Sequence, residues 1–114
     1  MNWGCYFNGD IEIGEGCLIG PMVIATSTSH ECRDTKHIKD RKATSEKIII
    51  GDGVFIGAGA IILAGCVIGN GAVIGARSVV IHDVPDGAIV AGIPAKLVRY
   101  RTEDSNCIYR RNKV

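Results

Sequence analysis

The sequence predicts an all-β fold of stacked, three-sided coils, and three observations lead to this prediction. Apolar residues recur at every sixth position, without a slip from Ile50 to Val80. A glycine follows most of these marker residues, and a small or β-branched residue stands four positions after each of them. Aromatic residues make up only 5% of the chain, whereas fifteen of its 114 residues are glycine. This composition favours many tight corners around a core of small aliphatic side chains.

The period of six indicates how the chain is folded locally. A helix would space its apolar residues three and four apart, and a half-buried strand would alternate them at two. A hexapeptide fits one short strand and one corner, with the marker and the small residue pointing inward. Three hexapeptides close a coil of about eighteen residues, and stacked coils pair their backbones as parallel strands. The markers are Phe7, Ile13, Ile19, Ile50, Ile56, Ile62, Ile68, Ile74 and Val80, and the small positions are Cys17, Val23, Val54, Ala60, Cys66, Ala72, Ser78 and Val84.

The repeat is interrupted once, between Ile24 and Lys47. The 37 residues from Ile13 to Ile50 are not a multiple of six, so an insertion leaves the coil. This insertion, residues 26–47, is polar and charged, which predicts a surface loop, and loops of this length are usually functional or disordered. We therefore expect one domain over residues 1–100, with the loop protruding from it, and a C-terminal tail over residues 101–114.

Charge and cysteine usage narrow the class of protein. The formal net charge is +1 with mixed signs along the chain, so we expect neither a nucleic-acid nor a membrane partner. Five cysteines without a C-x-x-C pair argue against a zinc knuckle and a disulfide framework, and no apolar leader or long apolar run is present. A cytoplasmic location is expected. Cys5, Cys17 and Cys66 fall in inward positions, where a thiol acts as a small hydrophobe.

The repeats, together with the Asp-Val-Pro segment at 83–85 and the Gly-Ile-Pro-Ala segment at 92–95, resemble the hexapeptide-repeat acyltransferase family. The likeness is closest to the sugar, galactoside and maltose O-acetyltransferases. It implies a left-handed parallel β-helix with a protruding loop and a short C-terminal element, although right-handed crossovers are the usual preference. It also implies acetyl-CoA as the acyl donor, a small-molecule acceptor with a hydroxyl or an amino group, and a homotrimer with active sites between subunits.

His30 is the candidate general base. The acceptor must lose a proton as it attacks the thioester, and a neutral imidazole with a pKa near 6.5 suits that task. His30 also stands where enzymes of the family carry a histidine at the start of the loop. The resemblance implies direct attack by the acceptor, without a covalent acetyl-enzyme.

The resemblance implies binding roles for further residues. Asn2, Asn8 and Asp10 would line the acceptor pocket, with ordinary turn residues as the alternative. Lys96 and Arg99 would hold the 3′-phosphate of CoA or be merely solvated. Ile81 and His82 stand where many relatives have Thr-Lys, a departure on the adenosine side of the site. The expected cofactor-binding residues are Phe55, Gly57, Ala58, Gly75, Ala76, Arg77, His82, Lys96 and Arg99.

Two other classes of function compete with an acetyltransferase. A γ-class carbonic anhydrase shares the fold, but its zinc-histidine spacing is not found among His30, His37 and His82, so no metal is expected. A β-helix scaffold that has lost acceptor or CoA binding is the second alternative, because a fold alone does not establish catalysis.

Overall fold

The computed structural model describes residues 3–30, 37 and 43–102, and these residues form strands and turns. No helix in these segments is long and apolar enough to cross a membrane. The strands, in chain order, are β1 (Tyr6–Asn8), β2 (Ile11–Ile13), β3 (Leu18–Ile19), β4 (Ile24–Thr26), β5 (Thr28–His30), β6 (Ala43–Ser45), β7 (Ile48–Ile50), β8 (Phe55–Ile56), β9 (Ile61–Ile62), β10 (Val67–Ile68), β11 (Val73–Ile74), β12 (Val79–Val80), β13 (Ala88–Gly92) and β14 (Ala95–Tyr100).

Three parallel sheets form the sides of a triangular prism. Sheet A contains β1, β4, β9 and β12; sheet B contains β2, β7 and β10; and sheet C contains β3, β8, β11 and β13. The chain visits sheets A, B and C in turn, and Ile56 pairs with Ile74, eighteen residues later. In the fourth coil sheet B is represented by a bridge between Ile68 and Val84. The coil length and the parallel pairing confirm the fold predicted from the period of six.

The core follows the predicted register. The markers from Ile50 to Val80 are almost fully buried, and so are the small residues beside them, such as Ala60 and Ala72. The first coil is less well covered, because it has a neighbour on one side only: Ile13 is 38% exposed. The middle coils therefore contain most of the buried apolar surface, as expected for a repeat stabilised by its neighbours.

The three described cysteines lie where the repeat predicts. Cys66 is buried in the core, and burial raises the pKa of its thiol. Cys5 and Cys17 pack against the same core. Their thiols donate to the carbonyl oxygens of Gly20 at 3.2 Å and Gly51 at 3.1 Å.

The insertion leaves the prism between sheets A and B of the second coil. Strand β4 ends at Thr26 and β7 begins at Ile48, which agrees with the interruption seen in the sequence. Its stem is an antiparallel pair of β5 and β6, in which Thr28 pairs with Ser45 and His30 with Ala43. The polar composition of this segment predicts a surface loop and gives no sign of these two strands.

A β-hairpin completes sheet C at the end of the prism. Strand β14 pairs antiparallel with β13, and the turn between them contains a cis peptide bond before Pro94. The Gly-Ile-Pro-Ala segment was expected to close the last coil, and it forms this turn.

Candidate functional site

The corner between sheets A and B gathers the residues predicted for the acceptor side. It consists of the turns at 9–10, 63–66 and 81–83 and of the described ends of the insertion, 27–30 and 43–47, and we call it the A–B corner. Asn8 ends β1, where it pairs with Thr26, and Asp10 follows in the turn. His30 lies on β5, which starts at this corner, and is exposed to solvent. Asn2 lies outside the described residues.

A buried serine that the sequence analysis missed lies at this corner. Ser27 is 0% exposed, and its Oγ accepts a hydrogen bond from the Asp10 N–H at 2.8 Å. Its own N–H donates to the Asn8 carbonyl oxygen at 3.0 Å. A signal was present in the sequence, because Val23, Ala25 and Ser27 alternate as an inward-facing strand does.

The A–B corner is also joined to the first coil by an ion pair. The Lys47 ammonium, at the end of the insertion, donates to the Glu12 carboxylate. This hydrogen bond raises the pKa of Lys47, with a smaller electrostatic contribution from Asp10. The pair ties the end of the insertion to β2.

The corner between sheets C and A gathers five of the residues predicted to bind the cofactor. It consists of the turns at 20–23, 57–60 and 75–78, and we call it the C–A corner. The coils approach so closely here that a Cβ atom on Gly57 would lie 2.6 Å from the Ala76 nitrogen. Within the described chain the N–H groups of Ala58 and Ala76 make no hydrogen bond, so they can donate to a ligand. The predicted residues at this corner are Gly57, Ala58, Gly75, Ala76 and Arg77.

A cavity of about 380 Å³ opens beside the C–A corner. Arg77 is the cationic residue of this cavity. Its side chain passes over Gly59, with the Arg77 Cγ 3.3 Å from the position that a Cβ on that glycine would take. Arg77 has a φ of 59°, a left-handed backbone that costs a non-glycine residue about 1–2 kcal/mol. The cavity is lined by Pro21, Met22, Ile24, Ala58, Gly59, Ile61 and Arg77.

The other predicted cofactor residues lie elsewhere. Phe55 faces outward from sheet C and lines a second cavity, of about 320 Å³, together with Arg101. His82 lies at the A–B corner in the fourth coil. Lys96 and Arg99 lie on β14, at the edge of sheet C. The structure thus brings five of the nine residues together and distributes the other four over three places.

The described residues do not suggest a metal centre. Within the segments 3–30 and 43–102 and at residue 37, no three histidine, cysteine or acidic side chains are grouped as metal ligands. The corners instead offer the exposed imidazoles of His30 and His82, backbone donors and the Arg77 cation.

Comparisons with known proteins agree with this geometry. A family model described as bacterial transferase hexapeptide (six repeats) matches residues 47–82. A galactoside acetyltransferase solved with coenzyme A is 36% identical; the match covers 79% of this chain and 44% of that one, with a TM-score of 0.74. A sequence comparison with curated proteins finds no match.

Two further solved structures are similar over most of this chain. A maltose O-acetyltransferase from Clostridium difficile 630 is 29% identical, with 90% of this chain and 65% of that one covered and a TM-score of 0.76. A hexapeptide-repeat acetyltransferase from Vibrio cholerae O1 biovar eltor, solved with acetyl coenzyme A, is 28% identical, with 88% and 62% covered and a TM-score of 0.74. This chain spans less than two thirds of the length of each of the three proteins. Residues 47–82 thus match the hexapeptide-repeat transferase model, and the chain shares the left-handed parallel β-helix of these acetyltransferases.

Proposed function

We propose that the protein transfers an acetyl group from acetyl-CoA to a carbohydrate hydroxyl, with His30 as the general base. The observation that carries this proposal is the C–A corner, where small residues, unpaired N–H groups and the Arg77 cation lie beside an open cavity. Three similar proteins are acetyltransferases, and two of them were solved with CoA or acetyl-CoA.

The donor side of the reaction is assigned to the C–A corner. The absence of side chains at Gly57 and Gly75 lets the extended pantetheine arm approach the backbone. The N–H groups of Ala58 and Ala76 would donate to the arm or to the thioester oxygen, and Arg77 would offset phosphate charge. Lys96 and Arg99 on β14 are retained as contacts for the 3′-phosphate.

The chemical step is assigned to His30. Its neutral imidazole takes the proton of the acceptor hydroxyl as the hydroxyl oxygen attacks the thioester carbonyl carbon. A backbone N–H stabilises the negative charge on the resulting tetrahedral oxygen. Collapse of the intermediate breaks the carbon–sulfur bond, and the imidazolium returns the proton to the CoA thiolate. Asn8 and Asp10 would orient the acceptor from the same corner.

The site is proposed to form between subunits of a homotrimer. The A–B and C–A corners lie at opposite ends of the strands of sheet A, about 10 Å apart for a three-residue strand. Reacting atoms must approach each other to about 3–3.5 Å, so one chain cannot supply both corners to the same reaction. A second copy can place its A–B corner against the C–A corner of the first. Repeating this contact around a three-fold axis turns the outer face of sheet A inward. That face carries an apolar row, in which Tyr6, Ile24, Ile61 and Val79 pair in succession.

The first experiment is a calorimetric titration of the purified chain with acetyl-CoA. We expect saturable binding of about one molecule per chain. Ala58→Trp fills the C–A corner and should abolish binding. Glu15→Trp is the control and should preserve binding, because Glu15 lies at the corner between sheets B and C, at the opposite end of the strands of sheet C. No binding by the unsubstituted chain would favour a scaffold.

A free-thiol assay with defined probes tests the acceptor class. p-Nitrophenyl β-D-galactoside and maltose offer hydroxyl groups, and glucosamine also offers an amine. CoA release with the first two sugars supports O-acetylation. Release with glucosamine alone would contradict the hydroxyl assignment. Light scattering that shows a stable monomer at micromolar concentration would contradict the intersubunit site.

A further inference from the structure

Ser27 connects three separate segments at the A–B corner. Its backbone N–H and its Oγ both bond the turn after β1, at Asn8 and Asp10. Its carbonyl oxygen accepts from the Glu46 N–H at 2.9 Å, beside the end of β6. The Ser27 and Ser45 hydroxyls lie 3.4 Å apart, so the Ser27 O–H also has a partner. The first-coil turn and both strands of the insertion stem therefore meet at this one residue.

The turn opposite Ser27 is shaped to receive its hydroxyl. Gly9 has a φ of +91°, and a Cβ atom placed on it would lie 1.9 Å from the Ser27 Oγ. A side chain at position 9 would therefore displace the hydroxyl from the Asp10 N–H. The Ser27 hydroxyl therefore occupies the space that a side chain at position 9 would take.

The hexapeptide repeat does not require a hydroxyl at position 27. Ser78, the other buried serine of the described residues, occupies a small position of the repeat. The corresponding positions in lower coils of sheet A are filled by Val23 and Ala60, so an apolar residue suffices there. Ser27 lies outside that register, at the point where the insertion leaves. A buried hydroxyl is costly without partners, and this one has two, the Asp10 N–H and the Ser45 hydroxyl, which points to a role at this junction.

We propose that Ser27 is a positioning residue that holds the Asn8–Asp10 turn and β5, with His30, in one fixed arrangement. This inference rests on the proposed function, in which the turn binds the acceptor and His30 removes its proton. Strand β5 begins at the residue after Ser27 and ends at His30. Loss of the hydroxyl frees the turn to shift against the base, and a displacement of about 1 Å can cost about 10²-fold in rate.

Three matched substitutions in the full chain test this role. In the assay with acetyl-CoA and p-nitrophenyl β-D-galactoside, Ser27→Ala should lower kcat by about 10- to 100-fold and leave the KM for acetyl-CoA unchanged. Ser45→Ala, which removes only one partner, should cause a smaller loss. Cys17→Ala removes a partly buried thiol that donates to the Gly51 carbonyl oxygen at the corner between sheets B and C, away from both proposed sites, and should keep kcat within about twofold. Equal losses in Ser27→Ala and Cys17→Ala would overturn the proposal.

Nuclear magnetic resonance supplies a measurement that does not need turnover. In Ser27→Ala the Asp10 amide should lose about tenfold in protection from hydrogen exchange, and the His30 ring resonances should move. The amides of Ala58 and Arg77 should not change. Unchanged Asp10 and His30 signals would overturn the role of Ser27 whatever the activity. Changed signals in a chain that does not bind acetyl-CoA would support the role at this junction and overturn the proposed function instead.

Discussion

The C–A and A–B corners of the same prism are built by different rules. At the C–A corner three turns of equal length stack in register, and neighbouring coils approach within hydrogen-bonding distance, as in the 2.8 Å bond from the Arg77 N–H to the Ala58 carbonyl oxygen. At the A–B corner the second coil opens into the insertion, and side chains such as Ser27 and Lys47 connect the segments. A strict repeat is well suited to binding an extended ligand, whereas an irregular corner offers distinct side chains for chemistry.

The largest expected effect separates the catalytic role proposed for the A–B corner from the donor-binding role proposed for the C–A corner. His30→Ala should lower kcat by about 10²- to 10⁴-fold, because a positioned base is worth that factor, and should leave the affinity for acetyl-CoA unchanged. Arg77→Ala should instead weaken acetyl-CoA binding. Steady-state kinetics and calorimetric titration of both variants check this division.

His37, the other exposed histidine of the insertion, provides the control. His37→Ala should retain full kcat, because the proposed mechanism uses no second imidazole from the insertion. If His37→Ala abolishes turnover and His30→Ala does not, the base has been assigned to the wrong histidine.

The regular part of the molecule was predictable from the sequence, and the irregular part was not. The inward positions of Ile62 and Ala60 follow from the period of six, since every coil meets the same neighbours above and below. The pairing of β5 with β6 depends on contacts across the insertion that no local pattern encodes. Strand β14 was expected only as a short C-terminal element, because its antiparallel pairing with β13 departs from the repeat.

The site residues also differ in how far their positions could be predicted from the repeat. Ala58 and Ala76 occupy equivalent positions in successive coils, eighteen residues apart, so their stacking could be anticipated. Phe55 precedes the inward marker Ile56 and therefore faces outward on sheet C, toward a different cavity. The resemblance placed it with the cofactor residues, although the alternation of a strand already separates it from them. The inward position of Ser27 follows from the same alternation, but its hydrogen bond to Asp10, seventeen residues away, is visible only in the folded chain.

A smaller effect is expected from the close packing of the C–A corner. Gly57→Ala places a methyl group 2.6 Å from the Ala76 nitrogen, and overpacking of this kind typically costs about 1–3 kcal/mol of unfolding free energy. Gly53→Ala is the matched control at the corner between sheets B and C. Its Cβ would meet no atom within 4 Å, and only the backbone φ of +64° opposes it, for about 1–2 kcal/mol.

Denaturant unfolding measures both changes, and CoA binding distinguishes them. Gly57→Ala should also weaken acetyl-CoA binding, because the added methyl group forces the two coils of the donor corner apart. Gly53→Ala should not alter binding. Equal CoA affinity in both variants would show that the spacing of the coils at the C–A corner does not matter for the donor.

The smallest effect concerns the ion pair at the A–B corner. The bond to Glu12 raises the pKa of Lys47 above its ordinary 10.5, so the folded chain holds this proton more tightly than the unfolded chain. The resulting stabilisation is fully present below pH 10.5 and is lost as pH rises through the higher pKa of the folded state. Because both side chains are largely in solvent, we expect a small contribution that salt weakens further. Lys47→Met should therefore lower the melting temperature slightly at pH 8 in low salt, and should converge with the unsubstituted chain in high salt or once the pH exceeds the raised pKa of Lys47. A loss that persists under those conditions would mean that the aliphatic part of Lys47, rather than its charge, joins the insertion to the first coil.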